Sequence, residues 1–159
     1  MIFPAPAPGF DDPLGMLRAC HERILRYGRW LSAVVHGDDD SVLAGVYRYF
    51  SSAGHEHHED EEQDLFPLLT ARGGGPLTHE LMVQHRTLDE LWKRLGPGFG
   101  EPRLLRGALA KPAIQFVSLN ESHIELENRE LLPFASKLLT DEEVKTLGER
   151  MARRRGVDL

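Results

Sequence analysis

An all-α chain, folded as a four-helix up-and-down bundle with one additional short C-terminal helix, is the fold class that three observations predict. Apolar residues recur at alternating spacings of three and four in four separate stretches, which is the seam of a packed helix. No segment alternates apolar and polar residues as a half-buried strand does. Breaks rich in Gly and Pro separate the stretches. With 159 residues the chain is long enough for one domain with a real core, divided into an irregular arm over 1–11, a bundle over 12–139 and a C-terminal helix over 140–156.

The first helix opens at Asp12-Pro13, a good N-cap followed by a proline at the first helical position. Its seam runs Leu14, Leu17, His21, Ile24, Gly28, Leu31 and Val35, with Gly28 marking a close helix approach and Cys20 a packed thiol one position off. The second helix is expected over about 40–71, with Pro67 bending it or ending it early, before Arg72-Gly73-Gly74-Gly75-Pro76 breaks the chain. The third carries Leu77, Leu81, His85, Leu88, Trp92 and Leu95 and stops at the loop Gly96-Pro97-Gly98-Phe99-Gly100-Glu101-Pro102. The fourth is expected from near Arg103 to Leu139, kinked at Pro112, with Phe116, Asn120, His123, Glu127, Leu131 and Phe134 inward. Thr140-Asp141-Glu142-Glu143 is a capping box that opens the last helix, which would dock through Val144, Leu147 and Met151.

Composition excludes several classes of function. Lys+Arg 19 against Asp+Glu 25 leaves a net charge of −6 and no basic groove for nucleic acid. The one basic run, Arg153-Arg154-Arg155, is expected to complement the dipole at the end of the last helix. A single cysteine, Cys20, excludes an internal disulfide framework and a Cys-rich zinc site. The first residues lack a basic region followed by a long apolar core, and no apolar run is long enough to cross a bilayer. No membrane is expected as a partner, and the cytoplasm is the expected location.

The chemistry concentrates in His57-His58-Glu59-Asp60-Glu61-Glu62-Gln63-Asp64-Leu65-Phe66-Pro67. His58 and Glu62 lie one helical turn apart, and seven residues beyond each come Leu65 and Leu69, which must be buried. A His and a Glu on a buried face are costly unless something satisfies them, and a metal ion does so. From these residues alone the register stays open, because His57 and Glu61 form the same pair one residue earlier and Phe50 does not choose between them. Acidic, His-bearing turns are also common as solvated faces. The rest of the chain decides against that reading. Each of four helices puts one histidine on its core stripe (His21, His58, His85 and His123), and two add a carboxylate a turn later, Glu62 and Glu127. So many polar groups in one core would stay unpaired unless they converge on metal. Two carboxylates can each bridge a pair of ions, so the expectation is a dinuclear site. Its imidazole and carboxylate ligands favour iron or manganese.

The motifs carry a resemblance. Asp12-Pro13 through Cys20-His21-Glu22-Arg23, His58-x-x-x-Glu62 before Leu65-Phe66-Pro67, Gln84-His85-Arg86-x-Leu88, and His123-Ile124-x-x-Glu127-Asn128 with Leu132-Pro133 together resemble the hemerythrin-like (HHE cation-binding) domains over residues 12–139. The resemblance implies His58 and Glu62 as the register. It also implies two iron ions bridged by Glu62, Glu127 and an oxo or hydroxo group, with His21 and His58 on one ion and His85 and His123 on the other. Manganese or zinc are the alternative metals. Oxygen-carrying members have a further histidine one turn before the third-helix ligand, where this chain has Leu81, so one ion is expected to lack a protein ligand and reversible oxygen carriage is not the favoured role. Ferritin-like proteins use a Glu-x-x-His spacing that this chain does not show. The implied function is binding or sensing of dioxygen, nitric oxide or peroxide, or handling of iron, rather than catalysis. The alternatives are a di-iron oxidase or peroxidase, and a structural bundle with a metal-stabilised core. Expected partners are a small diatomic or peroxide ligand, with a second copy of the chain or an unidentified protein as the macromolecular candidates.

Overall fold

The computed structural model describes residues 7–159, so the first six residues of the expected N-terminal arm lie outside the described residues. Among those described there are helices and no strand. Helix α1 (Pro13–His36) starts as expected, with the Asp12 carboxylate accepting from the Gly15 amide at 3.1 Å. The second arm is a series of short pieces: α2 (Leu43–Ser51), α3 (Ala53–Glu59), a π-helical stretch Asp60–Leu65, and α4 (Phe66–Leu69). It then turns at Gly73, whose φ of +92° suits a residue without Cβ, into α5 (Gly75–Gly100). A 3-10 turn (Pro102–Arg106) leads to α6 (Ala110–Leu126), a second π-helical stretch Glu127–Leu131, and α7 (Leu132–Leu138). Helix α8 (Asp141–Arg154) follows a complete capping box at Thr140 and Glu143.

Two expected breaks are not breaks. Gly96 to Gly100 stays helical as the end of α5, with Pro97 exposed so that water serves the carbonyl its missing N–H leaves free. Gly98 is needed there for packing, because a Cβ would lie 2.6 Å from the Leu105 side chain. Pro112, expected to kink the fourth helix, sits in the first turn of α6, where helical amides have no partner in any case.

The core is layered. Leu31, Val34, Val46, Leu95, Leu105 and Phe116 belong to one apolar cluster, and Leu17, Leu65, Leu69, Leu81, Leu131 and Met151 to another. Each of the four arms contributes to both clusters in alternating order along the chain, which makes the bundle up-down-up-down. Between the layers lie fully buried polar residues: His21, His57, Glu61, His85, His123 and Glu127. Helix α8 packs Leu147 and Met151 into the second cluster. Its arginines do more than meet a helix dipole: Arg154 Nη1 and Arg155 Nη2 donate to the two oxygens of buried Asp60 at 2.5 and 2.7 Å, and Arg154 Nη2 reaches Asp64 at 2.8 Å.

Candidate metal centre

The two π-helical stretches set the geometry of the centre. In each, the first residue after the stretch donates its amide to the carbonyl five residues back, Phe66 to Glu61 and Leu132 to Glu127. Each is followed by a proline, Pro67 and Pro133, and a widened turn accommodates the missing donor and the bulk of the ring. The chain repeats itself here. His57-x-x-x-Glu61 followed by Pro67 recurs 66 residues later as His123-x-x-x-Glu127 followed by Pro133.

Two groups of potential ligand atoms result, each with its atoms within 4.8 Å of one another. One joins His21, His57, Glu61 and Glu127, and the other joins His58, Glu61, His85 and His123. Glu61 belongs to both groups. Of the expected residues, His21, His58, His85, His123 and Glu127 are drawn together, and Glu62 is not. The π-turn explains the difference, because the extra residue it inserts moves the upstream face back by one position relative to Leu65 and Leu69. His57 and Glu61, 1% and 0% exposed, therefore occupy the inner face that plain α-helical counting assigns to His58 and Glu62. From the sequence, His57 and Glu61 are the alternative register, and the resemblance implies the other one. The internal repeat at an interval of 66 residues was the signal that identifies them, since it pairs Glu127 with Glu61 and not with Glu62.

Glu62 has another place. Its Oε1 lies 3.0 Å from His85 Nδ1, just as the oxygens of Asn128 and Gln84 lie 2.6 Å from His21 Nδ1 and 2.7 Å from His123 Nδ1. Carboxylate and amide oxygens only accept, so all three rings carry their proton on Nδ1 and turn the Nε2 lone pair inward. Asn128 follows Glu127 as Glu62 follows Glu61, so the repeat extends to these orienting contacts. His85 Nε2 and His123 Nε2 stand 3.1 Å apart, two lone pairs facing each other. His123 Nε2 is 2.6 Å from Glu127, and His85 Nε2 is 3.7 Å from Glu61. The remaining ring of that group, His58, stacks on His85 with centroids 3.9 Å apart.

Burial sets the charge of these groups. It pushes His21 down to about 4 and His123 to about 3, and it holds His58 well below the ordinary imidazole range. His57 is the exception. Burial works against its charge, but the Glu61 carboxylate and the Cys20 thiol beside it carry it up to about 10. Its charge in turn holds the Glu61 carboxyl below the usual carboxylate range despite burial. Cys20, buried and taking a contact from Arg23 at 3.2 Å, is thus a neighbour of the centre through His57.

Both oxygens of Glu61, both oxygens of Glu127 and His21 Nε2 are buried without a well-directed hydrogen bond, although His57 Nε2 stands 3.0 Å from Glu61 and His123 Nε2 2.6 Å from Glu127. Such groups are costly alone, and a cation satisfies all of them together. Their chemistry, neutral imidazole with carboxylate and no thiolate, suits iron, manganese or zinc. The model of the hemerythrin HHE cation-binding domain matches residues 12–135. The chain belongs to this family. A protein of Haemophilus influenzae (strain ATCC 51907 / DSM 11121 / KW20 / Rd), described as uncharacterized, is 33% identical over 162 residues, covering 93% of this chain and 92% of that one. Membership in the hemerythrin HHE family makes this a cation-binding chain, and the matched segment contains all seven residues of the two groups while ending before α8. No helix among the described residues is long and apolar enough to cross a membrane.

Proposed function

We propose that this chain is a non-haem di-iron protein that binds or senses dioxygen, nitric oxide or peroxide, or handles iron, in the cytoplasm. The observation that carries the reading is Glu61, a buried carboxylate whose two oxygens lack a well-directed hydrogen bond and which is common to both ligand groups, so suited to bridge two ions. His21, His57 and Glu127 would hold one ion with it, and His58, His85 and His123 the other. When bound, two such ions supply one-electron redox chemistry and a position for a small exogenous ligand. The protein's own share is orientation and exclusion of water. Glu62, Gln84 and Asn128 fix the rings that bear the lone pairs, and the apolar layers above and below close the centre. Leu81, at the position of the further histidine of oxygen carriers, packs in the apolar layer and is fully buried. His58 supplies an imidazole from the second arm in its stead.

The test is metal content with an absorption spectrum after anaerobic reconstitution with ferrous iron and exposure to air. About two irons per chain and a near-ultraviolet charge-transfer band are expected from the two ligand groups. A stoichiometry well below one overturns the dinuclear reading. A cavity with His58 in its wall favours a second reading as a di-iron oxidase or peroxidase. Catalytic consumption of hydrogen peroxide by the reduced protein separates that enzyme from a sensor, which reacts once.

A further inference from the structure

A cavity of about 210 Å³ opens between α1, the second arm, α5 and α6, with His58 in its wall. That volume is far more than a diatomic ligand needs. A water takes about 30 Å³ of liquid, and a cavity of about 150 Å³ lined by apolar side chains holds a benzene ring. The walls are apolar and aromatic. Phe50, Trp92 and Phe116 form a mutually packed trio with centroids 5.0 to 5.5 Å apart, and Ile24 and Leu88 complete them. The mouth is exposed at Ser51, His55 and Asp89. Besides His58, the wall contains buried Asn120, 4% exposed, which donates its Nδ2 to the Phe116 carbonyl at 3.1 Å, while its Oδ1 accepts no hydrogen bond from the described residues.

We infer that this cavity binds a small neutral aromatic molecule with one hydrogen-bond donor, a phenol being the simplest, with the donor on Asn120 Oδ1 and the ring among Phe50, Trp92 and Phe116. Aromatic walls favour a flat ring by edge and offset contacts. An acceptor in the cavity wall that takes no hydrogen bond from the described residues favours a hydroxyl or N–H over a bare hydrocarbon. The Asp89 carboxylate at the mouth disfavours anions. Such a guest would lie against His58, and through that ring against His85.

Binding needs no metal, so the test uses the metal-free chain, and its failure leaves the di-iron proposal standing. Trp92 fluorescence in a Trp30→Phe background is titrated with phenol, toluene and benzoate. Phenol is expected to bind saturably with a Kd on the order of 0.1–1 mM, a modest efficiency for seven heavy atoms. Toluene should bind roughly fivefold more weakly, the worth of one hydrogen bond, and benzoate not measurably. Asn120→Leu should erase the difference between phenol and toluene, and Leu88→Trp, checked for native helix content, should fill the cavity and abolish both. Failure of phenol to saturate below about 10 mM overturns the inference, because it leaves less than the ordinary contact energy of a filled pocket. A phenol preference unchanged in Asn120→Leu, or unchanged binding in folded Leu88→Trp, also overturns it.

Discussion

Replacing Glu61 by Gln keeps the shape of the side chain and removes the one charge common to both ligand groups. In the metal-free protein the cost is small. Glu61 lies 3.0 Å from His57 with both groups buried, and exchanging such a pair for neutral partners is close to neutral because neither charge then needs desolvating. His57 loses its reason to hold a proton and reverts to a neutral ring. A change within about 1 kcal/mol moves the midpoint of thermal unfolding by roughly 2–4 °C in a domain of this size. The loaded protein responds differently. Four-ligand structural sites bind zinc with about 10–16 kcal/mol, so losing one anionic ligand costs on the order of 3 kcal/mol, about a hundredfold, at each ion. Glu62→Gln touches only the orientation of His85, so it should weaken one ion by about tenfold to a hundredfold and leave the other alone. Competition titration with a coloured chelator, with metal counted after dialysis, reads both variants on one scale. Two ions held at parental affinity by Glu61→Gln, with loss in Glu62→Gln, would refute the assignment of Glu61 to the centre.

His57→Ala and His58→Ala should each leave one ion tightly held, and the double variant neither, counted by elemental analysis after dialysis. Leu81→His should destabilise the metal-free protein by about 1–3 kcal/mol in chemical denaturation, because Leu81 is fully buried among leucines. In the His58→Ala background the same substitution should restore the second ion, since a histidine four residues before His85 lies on the same helical face. His57, raised to about 10, contributes stability to the metal-free protein that is fully present below about pH 6.5 and lost as pH rises through about 10. Metal must displace that proton, so uptake at pH 7 should release about one proton at this residue, measurable by calorimetry in buffers of different ionisation enthalpy, and His57→Gln should abolish the release.

Much of this bundle was legible because local signals agreed. Asp12-Pro13, the capping box at Thr140 and the apolar stripes all specify helix boundaries that long-range packing then respects. The errors arose where backbone geometry departs from a period of 3.6 residues. The resemblance implied the register with Glu62, whereas the widened turn at Asp60–Leu65 shifts the inner face by a residue and brings Glu61 into the ligand groups. Pro97 and Pro112 misled in the opposite direction, because proline is tolerated at an exposed end and in a first turn. The partnership of Arg154 and Arg155 with Asp60 was invisible in the sequence. It joins residues more than ninety positions apart, and nothing in either segment specifies the other.

That partnership bears on where this chain can be cut. Asp60 and Glu61 are consecutive buried carboxylates, one neutralised from outside by two guanidinium groups of the last helix, the other facing the ligand groups within. The segment matched to the family ends at residue 135, so a fragment trimmed to it keeps every residue of the ligand groups and discards both guanidinium groups. It would also strip the cover that Leu147 and Met151 give to the second apolar layer. A buried carboxylate stripped of its partners costs about 3–5 kcal/mol, a large share of the stability of any single domain. Asp60 would then have to drag its turn towards water, which disturbs the adjoining residue on which both ligand groups depend. Minimal fragments should therefore end beyond Arg155, and a failure of shorter ones to hold metal would report on Asp60 rather than on the ligands.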